Sequence, residues 1–432
     1  MNRRQFLKAS LASSLLGINA CASWRTGFTQ KAHVVIIGGG FGGATAARYL
    51  RLHCPEIRIS LIEPKQYYTA CPGSNRVITG LAELESLSLS YSKLSQAYAI
   101  NILQTRVTAI DAQLKRLRLQ TGETLSFDYL ILAPGISLRW DTIEGYSETL
   151  SERFPHAWQA GPQTLLLREQ IRALPDNGTV LICPPADPYR CPPGPYERAS
   201  LIACWLKQHK PKAKILVLDP KRSFSKQALF EHAWRQHYAY GTENALIEWH
   251  SLADNPIKAI DQKTNTVITE FGDRFRGDVI NLIPPQTAGQ IAIDTGLTDS
   301  SGWCPVNPVS SESLLAPHIY IIGDAGQYAP IPKSAFAANS EAKHCALTIS
   351  LMLKDQDPSD PVWFNTCYSA VSTDQAISVS NVYRLDSEHR LSKASIIGGV
   401  SSRMDADTLK QEAVFGQSAY RHLLDDCFAL DI

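Results

Sequence analysis

Three features of this 432-residue chain predict an α/β fold: a Rossmann-type dinucleotide-binding domain, a second nucleotide-like α/β domain inserted into it, and a C-terminal α+β domain. The first is "HVVIIGGGFGGATAARYL", an apolar strand running into a glycine-rich turn and a helix. The second is a pair of distant apolar strands, "YLILAPG" and "IYIIGDA", each ending in small residues. The third is the rhythm of "GTVLI", "YERASLIACWLKQH" and "KILVLD", which reads as strand, helix, strand.

Composition frames these elements. With 44% hydrophobic and 19% charged residues the chain is ordinary globular material, long enough for two or three domains. A formal net charge of +1 lacks the basic excess of a nucleic-acid binder. Small molecules and protein partners remain, and no metal site is expected.

Residues 1–30 read as a separate object. Arg3, Arg4 and Lys8 precede a weakly apolar stretch from Ala9 to Ile18, and no acidic residue comes before Glu56. This is the pattern of a twin-arginine signal peptide, which predicts export to the periplasm of a protein folded around its cofactor. The apolar stretch is about half the ~20 residues needed to span a bilayer. Cleavage after Ala20-Cys21-Ala22 and lipoprotein-type processing at Cys21 both remain open.

The glycine motif is Gly38-x-Gly40-x-x-Gly43. Its glycines allow a tight turn, let backbone approach a pyrophosphate and bring the helix onto the sheet, while the helix N-terminus attracts negative charge. Glu63, at the end of the strand "IRISLIE", is placed to accept hydrogen bonds from a ribose. The two downstream strands end at Gly135 and at Gly323-Asp324. In that order they resemble the FAD-binding half of the two-dinucleotide flavoprotein disulfide reductases. That resemblance implies that Asp324 holds the ribityl chain or its phosphate, and that the helix after Pro332 aims its N-terminus at the flavin.

The middle segment repeats the βαβ pattern without a phosphate loop. "CPPADPYRCPPGPYE" offers a single glycine, and its prolines remove N–H donors that a pyrophosphate needs, so binding of NAD(P)H is not expected. What this turn does carry is a thiol, Cys191, and a carboxylate, Glu197.

Here the resemblance narrows. The His156-Ala157-Trp158 stretch, "RCPPGPYERAS", "FSKQ", "GTENALIEWH", "DVINLIPPQ", "GWCPV", "PKSAFAANS" and "NTCYS" together resemble the flavoprotein subunit of flavocytochrome c sulfide dehydrogenase, from about residue 33 to the end. The resemblance implies FAD, sulfide as substrate, and a separate c-type cytochrome as electron acceptor. The chain has no Cys-x-x-Cys-His of its own. It also implies a redox-active disulfide between Cys191 and Cys367 and, at Cys71, a cysteine positioned to bear the flavin as an 8α thioether. Glu197 is the candidate for proton handling, with a plain helix-start role as its alternative. Cys54, Cys183, Cys204, Cys304, Cys345 and Cys427 take the buried-cysteine reading, Cys183 being the competitor for Cys191.

The expected domains are 31–143 with 286–357 for FAD, 144–285 for the degenerate nucleotide-like insert, and 358–432 at the C-terminus. Rival functions are a sulfide:quinone oxidoreductase, an NADH-dependent reductase and a non-catalytic flavin-bearing subunit.

Overall fold

A five-stranded parallel sheet in the order Ile319–Ile321, Tyr129–Leu132, His33–Ile37, Arg58–Ile62, Asn101–Leu103 forms the central layer of the computed structural model, which describes residues 32–430. The strand His33–Ile37 is buried throughout, as expected of a parallel strand covered on both faces. Its alternate residues Val35 and Ile37 pack with Leu117 and Leu119 of an antiparallel three-stranded piece on one side. The helices Phe41–His53 and Ala335–Met352 pack against each other, and the first of them lies on the strands His33–Ile37 and Arg58–Ile62. The twin-arginine segment lies outside the described residues.

A second parallel sheet, ordered Ile247–Ser251, Lys214–Asp219, Thr179–Cys183, Val279–Leu282, stands where the strand–helix–strand rhythm predicts it. Period-2 alternation divides its core. Val180 and Ile182 face a cluster holding Tyr196, Ile202, Phe230 and Trp234 of the helices Gly194–His209 and Gln227–Tyr238. Leu181 and Cys183 face the opposite cluster with Ile260 and Val267. Cys183 is therefore a core residue of the far face, and burial pushes its thiol up.

The chain ends in an antiparallel sheet, Val362–Ala370, Ala376–Leu385 and Leu391–Val400, and a helix, Ala406–Phe428. Asp405 caps the helix by accepting the Thr408 N–H at 2.9 Å. Few of its residues are buried, and three of those four, Leu424, Cys427 and Phe428, lie in its last turns. Leu409 anchors its first turn in the core cluster of the second sheet, and polar contacts tie down the last turn. Asp426 accepts from Tyr49 and Asn339 at 2.7 and 2.8 Å and pairs with Lys343 at 2.5 Å, while Arg48 donates to the Asp425 carbonyl at 2.6 Å. Among the described residues, no helix is long and apolar enough to cross a membrane.

Candidate functional site

At the carboxyl ends of the first sheet's strands opens a cavity of about 450 Å³. Gly38, Gly40, Glu63, Cys71, Gly135, Gly323, Asp324, Cys191, Glu197 and Cys367 all line it. Gly43 does not. It sits one turn into the helix, where a Cβ would lie 1.8 Å from the Gly38 carbonyl oxygen. Gly38 itself has φ +98°, and a Cβ there would fall 2.2 Å from the Ala133 carbonyl oxygen. The turn is thus closed by backbone contacts that only glycine permits.

Glu63, expected at a ribose, also braces the turn. One carboxylate oxygen accepts the Gly39 N–H at 2.9 Å and the other accepts the Lys65 N–H at 3.1 Å, fixing the turn while lone pairs remain free.

Three buried polar atoms bordering the cavity have no partner among the described residues: Asp324 Oδ1, Trp158 Nε1 and the Tyr420 hydroxyl. Each such group costs about 1–3 kcal/mol unless something satisfies it. Burial raises the Asp324 carboxyl, with Arg190 and Lys333 opposing. Ser334, Ala335 and Phe336, at the start of the Ala335–Met352 helix, also line the cavity, and Ser334 Oγ accepts the Ala337 N–H at 3.0 Å. A glycine turn, an acid at the next strand's end, orphaned polar groups and a helix N-terminus are what a flavin dinucleotide needs, so the residues present fit FAD.

Cys191 stands in the left-handed region, φ +59°, and is followed by Pro192. That conformation costs on the order of 1 kcal/mol and is held from both sides. Its N–H donates to the Lys333 carbonyl at 2.8 Å, and its carbonyl accepts the Gly194 N–H at 2.9 Å. At Gly194 a Cβ would lie 2.8 Å from the Trp158 ring and 3.1 Å from Cys191 Sγ, which accounts for the glycine in this proline-rich turn. Burial, then the Cys367 thiol, then Glu197 push the Cys191 thiol up, and Arg190 and Lys226 oppose them.

The structure brings Cys367 to the same cavity from the strand Val362–Ala370. The two cysteines are unbonded thiols here, in place of the disulfide that the family resemblance implies. Beside Cys367, Lys226 Nζ lies 3.9 Å from Sγ, 3.3 Å from the carbonyl oxygen and 2.7 Å from Ser369 Oγ. Glu197, in the first turn of its helix, accepts from the Ala370 N–H and Asn75 Nδ2, both at 2.9 Å, and burial raises its carboxyl. Cys71, in the 3₁₀ turn Cys71–Gly73, accepts the Ala160 N–H at 3.5 Å.

Sequence reasoning missed the cations that assemble this region. Arg198 is 2% exposed yet donates to Asn75, Asn281, and the carbonyls of His156 and Ala157 at 3.0, 2.8, 3.1 and 2.6 Å, with its guanidinium 5.1 Å from the Trp158 ring centre. Burial pulls its pKa down to about 10. Lys333 donates to the carbonyls of Asp324 and Gly326 at 2.7 and 2.8 Å and lies 3.8 Å from the Trp303 ring centre. The signal was available in part, since both residues fall inside quoted motifs.

The second sheet has an acidic strand end too, but it is enclosed. Asp219 accepts from Tyr196 at 2.5 Å and Trp249 at 3.0 Å and pairs with Lys221 at 2.6 Å, while Tyr196 stacks on Phe224 at 3.8 Å.

A flavin-binding cavity shared with a thiol pair, on two nucleotide-type sheets, defines a two-dinucleotide flavoprotein oxidoreductase. Comparison with known proteins narrows the class. Residues 32–161 match the pyridine nucleotide-disulphide oxidoreductase model, residues 164–284 the central model of the sulfide dehydrogenase [flavocytochrome c] flavoprotein chain, and residues 359–428 the flavocytochrome c sulphide dehydrogenase flavin-binding model. The sulfide dehydrogenase flavoprotein chain of Chlorobaculum thiosulfatiphilum is 54% identical over 44 residues, 10% of this chain and 92% of that sequence. The chain belongs to the flavocytochrome c sulfide dehydrogenase flavoprotein family. The mitochondrial sulfide:quinone oxidoreductase of Mus musculus is 24% identical over 76% of this chain and 74% of its own length. The solved sulfide:quinone oxidoreductase of Aquifex aeolicus shares the fold, with TM-score 0.72 at 18% identity over 93% of each chain.

Proposed function

We propose that this chain is an FAD-dependent, periplasmic sulfide dehydrogenase that oxidises sulfide through a Cys191–Cys367 redox pair and passes the electrons to a c-type cytochrome. The observation that carries this reading is that Cys191 and Cys367, remote in sequence, line one cavity together with Gly38, Glu63 and Asp324.

Gly38, Gly40 and Gly43 would hold the pyrophosphate through the turn and helix they shape, Glu63 the ribose, and Asp324 with Gly135 and Gly323 the ribityl side. FAD, when bound, supplies a two-electron acceptor that can release electrons singly. The protein's own chemistry is thiol exchange. With the pair oxidised, hydrosulfide attacks one sulfur, the S–S bond breaks, and a persulfide and a thiolate result. Burial raises Glu197, against the Ala370 and Asn75 hydrogen bonds and the charges of Lys226 and Arg76, so it can hold or return a proton beside the thiols.

Anaerobic mixing of the flavin-loaded protein with sulfide, and separately with NADH, tests the reading: sulfide should bleach the flavin absorbance and NADH should not. Bleaching by NADH alone sinks it. A quinone acceptor is the second reading, favoured by the likeness to sulfide:quinone oxidoreductases along most of the chain. Under the first reading, cytochrome c is reduced in the presence of sulfide faster than a water-soluble quinone. The reverse order selects the second.

A further inference from the structure

Lys226 breaks two local rules at once. It occupies the position before the helix Gln227–Tyr238 with φ +61°, a left-handed conformation that a β-carbon disfavours. It also sets a cation at a helix N-terminus, where the macrodipole is already positive. Its carbonyl starts the helix by accepting the N–H groups of Leu229 and Phe230, both at 3.0 Å. A chain that tolerates two unfavourable choices at one residue has a use for that side chain. The side chain runs to Ser369 and Cys367, with Nζ 3.9 Å from Cys367 Sγ and 2.7 Å from Ser369 Oγ.

The two thiols therefore have unequal surroundings. Around Cys191, burial and the neighbouring Cys367 and Glu197 oppose negative charge, against Arg190 and the influence of Lys226. Cys367 has an ammonium at its sulfur. We propose that Lys226 is a further catalytic residue, whose ammonium holds Cys367 as the departing thiolate when hydrosulfide opens the Cys191–Cys367 bridge and so directs the incoming sulfur onto Cys191. This rests on the sulfide reading above. A bond forms between the sulfur of HS⁻ and Cys191 Sγ while the Cys191–Cys367 bond breaks. The electron pair of the broken bond leaves on Cys367 Sγ, and the proton stays on the terminal sulfur of the persulfide. The substrate sulfur is oxidised and Cys367 is reduced. The same ammonium attracts an anionic substrate to the pair.

The test needs neither sulfide nor an electron acceptor. The FAD-loaded full chain is reduced, then alkylated at one pH and low salt with iodoacetate, an anion, or iodoacetamide, which is neutral, and each cysteine is followed by peptide mass spectrometry. The iodoacetate-to-iodoacetamide rate ratio at Cys367 should exceed that at Cys191, fall about tenfold in Lys226→Met and recover in Lys226→Arg. A purely structural lysine moves both reagents equally, so a Lys226→Met ratio within about twofold of wild type overturns the proposal. If Lys226→Met does not fold, the wild-type comparison of the two cysteines decides, and equal ratios overturn it. Failure of the sulfide reading leaves these ratios legible. Where sulfide does react, the added sulfur should map to Cys191, and its recovery on Cys367 reverses the direction proposed.

Discussion

Glu197 is bonded to the backbone of Ala370: one carboxylate oxygen accepts that N–H at 2.9 Å, tying the helix that follows Cys191 to the strand that carries Cys367. The other oxygen, on Asn75 at 2.9 Å, extends the tie to the chain just after Cys71. One carboxyl group thus holds three cavity segments together.

Replacing Glu197 by Gln separates the two roles. The Ala370 bond survives, whereas the new amide meets the Asn75 amide donor, so unfolding should cost about 1 kcal/mol less. Glu197 is among the groups that raise the Cys191 thiol, so its neutralisation should make Cys191 of the reduced protein react faster with iodoacetamide near neutral pH. An unchanged rate at Cys191 would assign Glu197 to the helix start alone.

Asp324 offers a test of cofactor fit. Its Oδ1 is buried without a partner among the described residues, a cost that a polar ligand would relieve. In a Cys71→Ala background, so that any covalent link is absent, Asp324→Ala should raise the melting temperature of flavin-free protein and weaken FAD binding by about tenfold or more. Loss of stability without loss of FAD affinity, read by fluorescence titration, would make Asp324 structural.

How far the sequence could be read follows the range of each interaction. Gly38, Gly43 and Glu63 were legible because a turn followed by a helix makes local demands: a left-handed φ, a close backbone approach, an acid at the next strand's end. The second sheet was legible from its strand–helix–strand rhythm of apolar runs. No spacing pairs Cys191 with Cys367, and only the family resemblance brought them together. Arg198 was illegible for another reason. A helical arginine reads as a surface residue, and what makes it a buried one is four acceptors drawn from residues 75, 156, 157 and 281. The same holds for Lys226, whose partners lie on a strand at residues 367 and 369.

Glu341 predicts a pH dependence of stability. Burial raises its pKa to about 8, against the Gly323 N–H it accepts at 2.7 Å and the nearby Lys333. The unfolded chain releases this proton near the ordinary carboxyl value, and the folded chain keeps it until about 8. The stabilising contribution is therefore complete below about pH 4.3 and declines upward through about pH 8, by at most ~1.4 kcal/mol per pH unit. Glu341→Gln should flatten this decline in denaturant titrations run between pH 5 and 8. An equal slope in wild type and variant would show that Glu341 is ionised in the folded protein at neutral pH.

The last expectation is that the flavin is covalently attached at Cys71. The strand ending before Glu63 leads through the short strand Tyr67–Thr69 to the Cys71–Gly73 turn, and Glu63, Lys65, Tyr68, Thr69 and Cys71 all line the cavity, so the chain runs along its wall. Pro72 is exposed and part of the 3₁₀ turn, which leaves Cys71 among the cavity-lining residues and does not turn it outward. A thioether at the 8α carbon withdraws electron density from the ring and eases acceptance of electrons from a thiol pair. Forming it removes two hydrogens overall, and those electrons leave by the enzyme's own acceptor. The bond would also keep the protein loaded where no free FAD replaces a lost cofactor. Acid denaturation followed by separation from small molecules reads the outcome: yellow colour should stay with wild-type protein and leave Cys71→Ala. Free FAD from wild type would mean that Cys71 only packs beside the flavin, and Cys71→Ala would then match wild type in cofactor retention.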